Sequence, residues 1–169
     1  TAWLLDREIS PERCIEIAIS DNAAQRKLNS VEQGRAVLLM ETLYPNADEL
    51  CQVAGDLGIP LNPRVARKLR MAAQMNVCLR KSLVNGDVAL PVALQLAEME
   101  DQSAAEGIAV MIGAMGLGLN RQRELLDWLK AISRREEIAL RTLLEDQEIR
   151  RVLENADLDR KQRGNLLRR

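Results

Sequence analysis

The chain contains no histidine among its 169 residues. Histidine is the most frequent general base and zinc ligand in proteins, so its absence excludes the usual catalytic triads and most zinc sites. The sequence therefore predicts neither catalytic residues nor a metal site. We expect a binding protein rather than an enzyme.

Aromatic residues are scarce as well: they make up 2% of the chain, and phenylalanine is absent. Hydrophobic residues nevertheless reach 47%, which is enough to bury a core in a chain of this length. The most abundant residue types are Leu, Ala, Arg and Glu, and these favour helices over strands. The composition predicts an all-α protein built as a multi-helix bundle.

Cysteine is also rare, with Cys14, Cys51 and Cys78 far apart in the sequence. This number and spacing predict neither a CxxC metal motif nor a disulfide framework. No apolar run reaches membrane-spanning length, and no secretion signal leads the chain. We therefore expect a cytoplasmic protein that does not bind membranes. Because the chain begins at Thr1 without a methionine, we expect it to be a fragment or a processed chain.

Short polar motifs divide the chain into helices. A capping residue followed by proline, or by Glu or Gln three positions later, predicts a helix start, and a glycine-containing pair predicts a break. These motifs are Ser10-Pro11, Ser30 with Gln33, Asn46 with Glu49, Asn62-Pro63, Gly86-Asp87 and Pro91.

The glycine-rich segment GAMGLGLN, at 113–120, is the most prominent interruption. A phosphate-binding loop would need a preceding strand and a lysine, and this segment has neither, so the pattern favours a helix end and a turn. We predict that it separates a central domain from a C-terminal helical extension at 118–169.

Positive charge is concentrated in one part of a chain whose net charge is −1. Between residues 57 and 86 the sequence has six cations and no carboxylate. Such segregation is what a surface that faces phosphate groups requires. The six candidate DNA-binding residues are Arg64, Arg67, Lys68, Arg70, Arg80 and Lys81.

The segment LCQVAGDLGIPLNPRVARKL, at 50–69, has the pattern of a helix-turn-helix. Ala54 supplies a small residue for the crossing of two helices, and Gly58 tolerates the positive φ of the turn. In the second helix an apolar face would pack inward and leave the cations of 64–68 exposed. The alternative interpretation is an ordinary helical hairpin with a solvated basic face. The residues of the predicted inward face are Val65, Leu69 and Ala72.

Two flanking segments add a more specific pattern. The segment DNAAQRKLNSVEQGRA, at 21–36, contains an Asn, an Arg, a Leu-Asn pair, a Glu and an Arg-Ala pair in that order. The segment LRKSLVNGDVALPVALQLAEM, at 79–99, predicts a Leu-rich helix, a glycine and a second short helix. In these features the chain resembles the ParB family of bacterial partition and plasmid-regulatory proteins, over residues 5–100. The matching residues of the first segment are Asn22, Arg26, Leu28-Asn29, Glu32 and Arg35-Ala36.

The resemblance implies a helix-turn-helix DNA-binding domain at 23–117 that enters the major groove of a palindromic double-stranded site. It implies a homodimer in the full protein, a partition ATPase as a further partner, and association with the bacterial nucleoid or a plasmid. The implied role is chromosome or plasmid partition, or regulation of transcription. The turn GIPLNPR is one residue longer than is usual in the family.

The resemblance also implies that residues 1–22 are the tail of an N-terminal nucleotide-binding domain and a linking helix. Asp21, Asn22 and Arg26 match part of a site for CTP and Mg²⁺ in the full-length protein, although Asp21 stands where the family has Glu. The upstream motifs of that site are absent, so we expect no cofactor for this chain. Capping and bridging between helices is an equally suitable interpretation of these three residues.

Two interpretations of function remain open. The first is sequence-specific DNA binding by a ParB-like protein. The alternative is a helical protein-interaction scaffold whose basic face meets an acidic partner. DNA binding should weaken steeply with salt and depend on base sequence, whereas a scaffold should bind random duplex weakly if at all.

Overall fold

The computed structural model describes residues 9–59, 61–147, 151, 155 and 162. These residues form α-helices joined by turns, with no strand among them, which confirms the predicted all-α class. Residues 1–8 of the predicted N-terminal tail, and most of the predicted C-terminal extension after residue 147, lie outside the described residues. The chain divides into two compact units, Thr1–Gln74 and Met75–Arg169.

The first unit contains four helices among its described residues: α1 (Pro11–Gln25), α2 (Ser30–Leu43), α3 (Ala47–Asp56) and α4 (Pro63–Gln74). Helix α2 is central, because it contacts each of the other three. Apolar side chains from all four helices and from the turn before α4 meet in one core. The buried members of this core are Ile19, Ala36, Val37, Met40, Leu50, Ala54, Ile59 and Leu69.

Polar caps start the helices of this unit largely as the sequence predicts. The Ser10 side chain accepts a hydrogen bond from the amide of Arg13, with Pro11 in the first turn of α1. Asn46 accepts from the amides of residues 48 and 49 and starts α3. Each side-chain oxygen satisfies amide groups that would otherwise lack a partner at a helix start.

Helix α2 begins one residue earlier than predicted. The capping box is formed by Asn29 and Glu32, not by Ser30 and Gln33. The Asn29 side chain accepts from the amide of Glu32 at 3.0 Å, and the amide of Asn29 donates to the Glu32 carboxylate at 3.0 Å. The reason is chemical: a carboxylate is a stronger acceptor than the Gln33 amide oxygen.

The second unit contains five helices among its described residues: α5 (Val77–Val84), α6 (Leu90–Ala97), α7 (Gln102–Met115), α8 (Leu119–Glu136) and α9 (Leu140–Leu144). Helix α7 contacts α5, α6 and α9, while α8 contacts α6 and α9. The apolar face of α7 supplies the largest share of the buried residues in this unit.

The glycine-rich segment is a helix end and a turn, as predicted. Gly116 caps α7 with φ 60°, in the left-handed region that glycine adopts without strain, and Gly118 is the N-cap of α8. The predicted boundary at 117/118 nevertheless lies inside the second compact unit. Buried Gln122 explains the continuity, because its side chain bonds to the backbone of Leu117, Asp87 and Ala89 at 2.7, 3.1 and 2.9 Å.

Candidate nucleic-acid interface

Helix α4 carries four of the six predicted DNA-binding residues. Its start is fixed by Asn62, whose side chain accepts from the amides of Arg64 and Val65 at 3.1 and 3.0 Å, and by Pro63 at the first helical position. Gly58, in the turn before it, has φ +78°. These features confirm the predicted cap and the predicted positive φ.

The inward face of α4 is apolar, as the sequence predicts. Leu69 and Ala72 are buried, and Val65 is partly buried against the core of the first unit. Ala66 and Ala73 widen this face. Packing of this apolar face against the core of the first unit therefore holds α4 along its length and sets its orientation.

Helix α4 packs very closely against α2 at Gly34. A Cβ atom at Gly34 would lie 2.8 Å from the carbonyl carbon of Leu69 and 3.0 Å from the Cβ of Ala73. The sequence indicated Ala54 as the small residue at a helix crossing, and Ala54 is fully buried in the same core. The residue that sequence reasoning missed is Gly34, although a glycine in the middle of a helix was an available signal.

The outer face of α4 is cationic. Arg64, Arg67 and Lys68 are all exposed, and their spacing places them on one side of the helix. Arg64 lies in the first turn, beside the Asn62 cap. The helix thus presents three positive charges to solvent from its N-terminal half.

Arg70 is only partly exposed, unlike these three residues. Its guanidinium donates to the carboxylate of Glu41 on α2 at 2.6 Å, and the side chains are 40% and 26% exposed. The pair joins the two helices that meet at Gly34. Glu41 was not identified from sequence, because nothing local links two residues that are 29 positions apart.

Arg80 and Lys81 belong to α5, in the second unit. Arg80 is partly buried and Lys81 is exposed. Lys81 lies in the last turn of α5, where a cation interacts favourably with the helix dipole. The predicted basic set therefore divides between two compact units, with four members in the first and two in the second.

The three predicted nucleotide-binding residues all make contacts within the first unit. Asn22 donates to the carbonyl oxygen of Ala18 at 2.8 Å, and Asp21 accepts from Gln25 at 2.9 Å. Arg26, at the C-terminus of α1, makes two hydrogen bonds to the carboxylate of Glu32, one of them 2.8 Å long. Only the Arg26–Glu32 contact joins two helices, α1 and α2, whereas the side-chain contacts of Asp21 and Asn22 lie within α1.

Asn22 also lines a groove of about 270 Å³ between α1 and α2. The walls are mainly apolar, with Glu32 and Arg35 at the edge. One arginine among apolar walls is a poor match for a triphosphate, which binds best among several cations and backbone amides. The groove residues are Ile15, Ala18, Ile19, Asn22, Leu28, Glu32, Arg35, Ala36 and Leu39.

The described part of the chain holds no group of three or more Cys, Asp or Glu residues arranged to bind a metal. Cys14, Cys51 and Cys78 are free thiols, with Cys14 exposed and the other two partly buried. Within the same described ranges, no helix combines the length and apolar character needed to cross a membrane.

Comparison of the chain with protein-family models, with curated protein sequences and with solved structures finds no significant match to any of them.

Proposed function

We propose that this chain binds double-stranded DNA in a sequence-specific manner, with α3 and α4 acting as a helix-turn-helix. The proposed context is a ParB-like partition protein or transcriptional regulator. The observation that supports it best is the exposed cationic side of α4, on a helix whose other side is fixed against α2 at Gly34. A rigidly held basic helix after a short turn meets the geometric need of major-groove binding.

The N-terminal half of α4 is assigned to base recognition. Arg64 and Arg67 lie in its first two turns, at the end of a recognition helix that reaches base edges. An arginine can bind the O6 and N7 atoms of guanine together, which is worth about 1–3 kcal/mol of discrimination.

The other cations are assigned to affinity rather than to specificity. Lys68 lies one turn farther along α4 than Arg64, and Lys81 lies on α5 in the second unit, so we assign both to contacts with phosphate groups. Arg80, the neighbour of Lys81 on α5, is assigned to contacts with phosphate groups as well. Arg70 is assigned to holding α4 in place through Glu41, because its guanidinium is already bonded there.

Selection of bound sequences from a random duplex pool tests this function. A palindromic consensus is the expected result. Binding without sequence preference, or no binding, would favour the alternative of a protein-interaction scaffold with a basic face.

Variants then test the assignment of residues. Arg67→Ala should weaken the selected site and relax one base position, with little change in binding to random duplex. Lys68→Ala should weaken binding to every sequence and reduce the salt slope by about one unit. Arg123→Ala, an exposed cation on α8, is the matched control and should bind as the parent does. If folded Arg64→Ala and Arg67→Ala proteins bound both duplexes like the parent, the assigned recognition face would be wrong.

A further inference from the structure

The groove between α1 and α2 is built in the same way on both walls. Helix α1 contributes residues 15, 18, 19 and 22, and α2 contributes residues 32, 35, 36 and 39. Each set follows the spacing i, i+3, i+4 and i+7, which covers one side of a helix over two turns, or roughly 10 Å. The groove is therefore an elongated surface feature that runs between two helices.

Small side chains stand at the inner positions of both walls, and an exposed apolar side chain stands at the edge. Ala18 is exposed and Ala36 is buried, so neither side chain would keep another helix at a distance. Leu39, at the edge, is 49% exposed. A third helix can lie in such a groove with its own apolar residues at i, i+3 or i+4, and i+7.

The edge of the groove keeps a net positive charge. The Glu32 carboxylate accepts two hydrogen bonds from Arg26 and one from the amide of Asn29. Arg35 is exposed and makes no hydrogen bond or ion pair with any other residue that the structure describes. Two arginines thus stand beside one carboxylate, and Arg35 is the one that is left to bind an anion.

Arg35 and Leu39 are four residues apart on α2, so they are neighbours on one side of the helix. An occupant that covers Leu39 with an apolar side chain would bring its next turn beside Arg35. A carboxylate in that turn would have a cation to pair with, whereas a second cation would be repelled.

We propose that this groove binds an amphipathic α-helix of another protein, whose apolar face lies against α1 and α2 and whose Asp or Glu pairs with Arg35. The two-turn length, the apolar walls and the small inner residues fit a helix as the occupant. The net positive charge at the edge selects a helix with an acidic residue beside its apolar face.

The groove and the proposed DNA-binding face use different sides of α2. Gly34, where α4 packs, is separated from Arg35 and Leu39 by a rotation of about 100° or more around the helix axis. The cations assigned to DNA are not among the residues that line the groove. The inference therefore does not depend on DNA binding, and it is tested without DNA.

Display of a library of designed helical peptides on the full chain tests the proposal. The peptides are about 15 residues long, with Leu at i, i+4 and i+7 and with the positions beside that face randomised among Asp, Glu, Ser, Lys and Arg. We expect the enriched peptides to carry Asp or Glu at one of these positions and to bind with a dissociation constant on the order of 10–100 μM. A library without enrichment, or enrichment without a preference for acidic residues, would overturn the proposal.

Variants of the chain test the two parts of the groove separately. Leu39→Asp should abolish binding of the enriched peptides, because it places a carboxylate in the apolar contact. Val110→Asp is the matched control, since Val110 is 60% exposed on α7 in the second unit. Binding by Leu39→Asp as tight as by the parent would overturn the proposal.

Arg35→Glu should weaken the acidic peptides about tenfold, because it replaces an attraction with a repulsion. Peptides in which Lys replaces the selected Asp or Glu should bind this variant better than they bind the parent. Arg123→Glu, at an exposed cation on α8, is the matched control and should bind the acidic peptides as the parent does. An Arg35→Glu protein that keeps the preference for acidic peptides would contradict the assigned pairing.

Two other occupants would be recognised by the same set of proteins. Displacement of the peptide by decanoate at concentrations below the peptide's dissociation constant would assign a small apolar acid to the groove. Self-association of the parent that is lost in Leu39→Asp would assign a second copy of the chain. Either result would overturn the proposal, and thermal melts establish that each variant is folded.

Discussion

Gly34 of α2 and Leu69 of α4 approach so closely that a Cβ atom on the glycine would lie 2.8 Å from the carbonyl carbon of the leucine. Backbone atoms on both sides make this approach, so side-chain rotation cannot relieve a larger residue. The proposed recognition helix therefore lies as close to α2 as it does because residue 34 is a glycine, which has no Cβ atom.

The first prediction is that Gly34→Ala lowers the free energy of unfolding of the first unit by about 2 kcal/mol, because overpacking outweighs the better helix propensity of alanine. Chemical denaturation followed by circular dichroism measures this change. Gly55→Ala in α3 is the matched control, because a Cβ there meets nothing within 4 Å. The control should stabilise the chain by up to about 1 kcal/mol. Equal effects of the two variants would show that the Gly34 contact is not tight.

The second prediction concerns acid. Hydrogen bonds from Arg26 and from the Asn29 backbone lower the pKa of Glu32 from its ordinary 4.5 to about 2. Because the folded-state pKa is the lower one, this stabilisation is present above pH 4.5 and is lost as the pH falls toward 2. Arg26→Gln should therefore make the stability of the first unit less dependent on pH in this window. Denaturation curves at several pH values test it, and identical pH profiles for parent and variant would contradict the assigned role of the pair.

The third prediction concerns alkali. Tyr44 donates a hydrogen bond of 2.6 Å to Glu16, and this bond, together with burial, raises the pKa of Tyr44 from 10.0 to about 12. A raised folded-state pKa means that the stabilisation is complete below pH 10 and is lost between pH 10 and 12. Tyr44 is the only tyrosine in the chain, so its ultraviolet absorbance reports the titration directly. Glu16→Gln should shift that titration to lower pH, and an unchanged curve would argue against the bond.

Features set by neighbouring residues were predictable from the sequence. The caps at Ser10, Asn46 and Asn62 and the positive φ of Gly58 depend on local chemistry, and the structure has each of them. The error at Ser30 was also local, because two overlapping capping boxes competed and only the strength of the acceptor decided between them.

Features set by distant contacts were not predictable. A pattern search has no means to show that Gln122 bonds to Ala89, 33 residues away, and that this bond holds α8 in the second unit. For the same reason the basic residues could be listed from sequence, but their division between two units and the pairing of Arg70 could not.

The fourth prediction is that this chain does not bind CTP. Arg26 is bonded to Glu32, Asn22 to a backbone carbonyl and Asp21 to Gln25, so binding would have to replace these contacts as well as enclose a triphosphate. Calorimetric titration with CTP and Mg²⁺ should show no binding heat. Micromolar affinity would contradict the prediction.

The fifth prediction separates two roles for Arg70. If Arg70 holds α4 through Glu41, Arg70→Gln and Glu41→Gln should lower stability by similar amounts, and a double-mutant cycle should give a coupling of about 0.5–1 kcal/mol, the upper range for a pair that is partly exposed. Neither variant should then change the salt slope of DNA binding. If Arg70 contacts phosphate instead, Arg70→Gln alone should reduce the slope by about one unit, as Lys68→Gln is expected to do. Measuring the salt slope for all three variants decides between the two roles. If Arg70 positions α4, removing either partner of the pair has the same effect on the helix. If Arg70 contacts phosphate, only removal of the cation changes the slope.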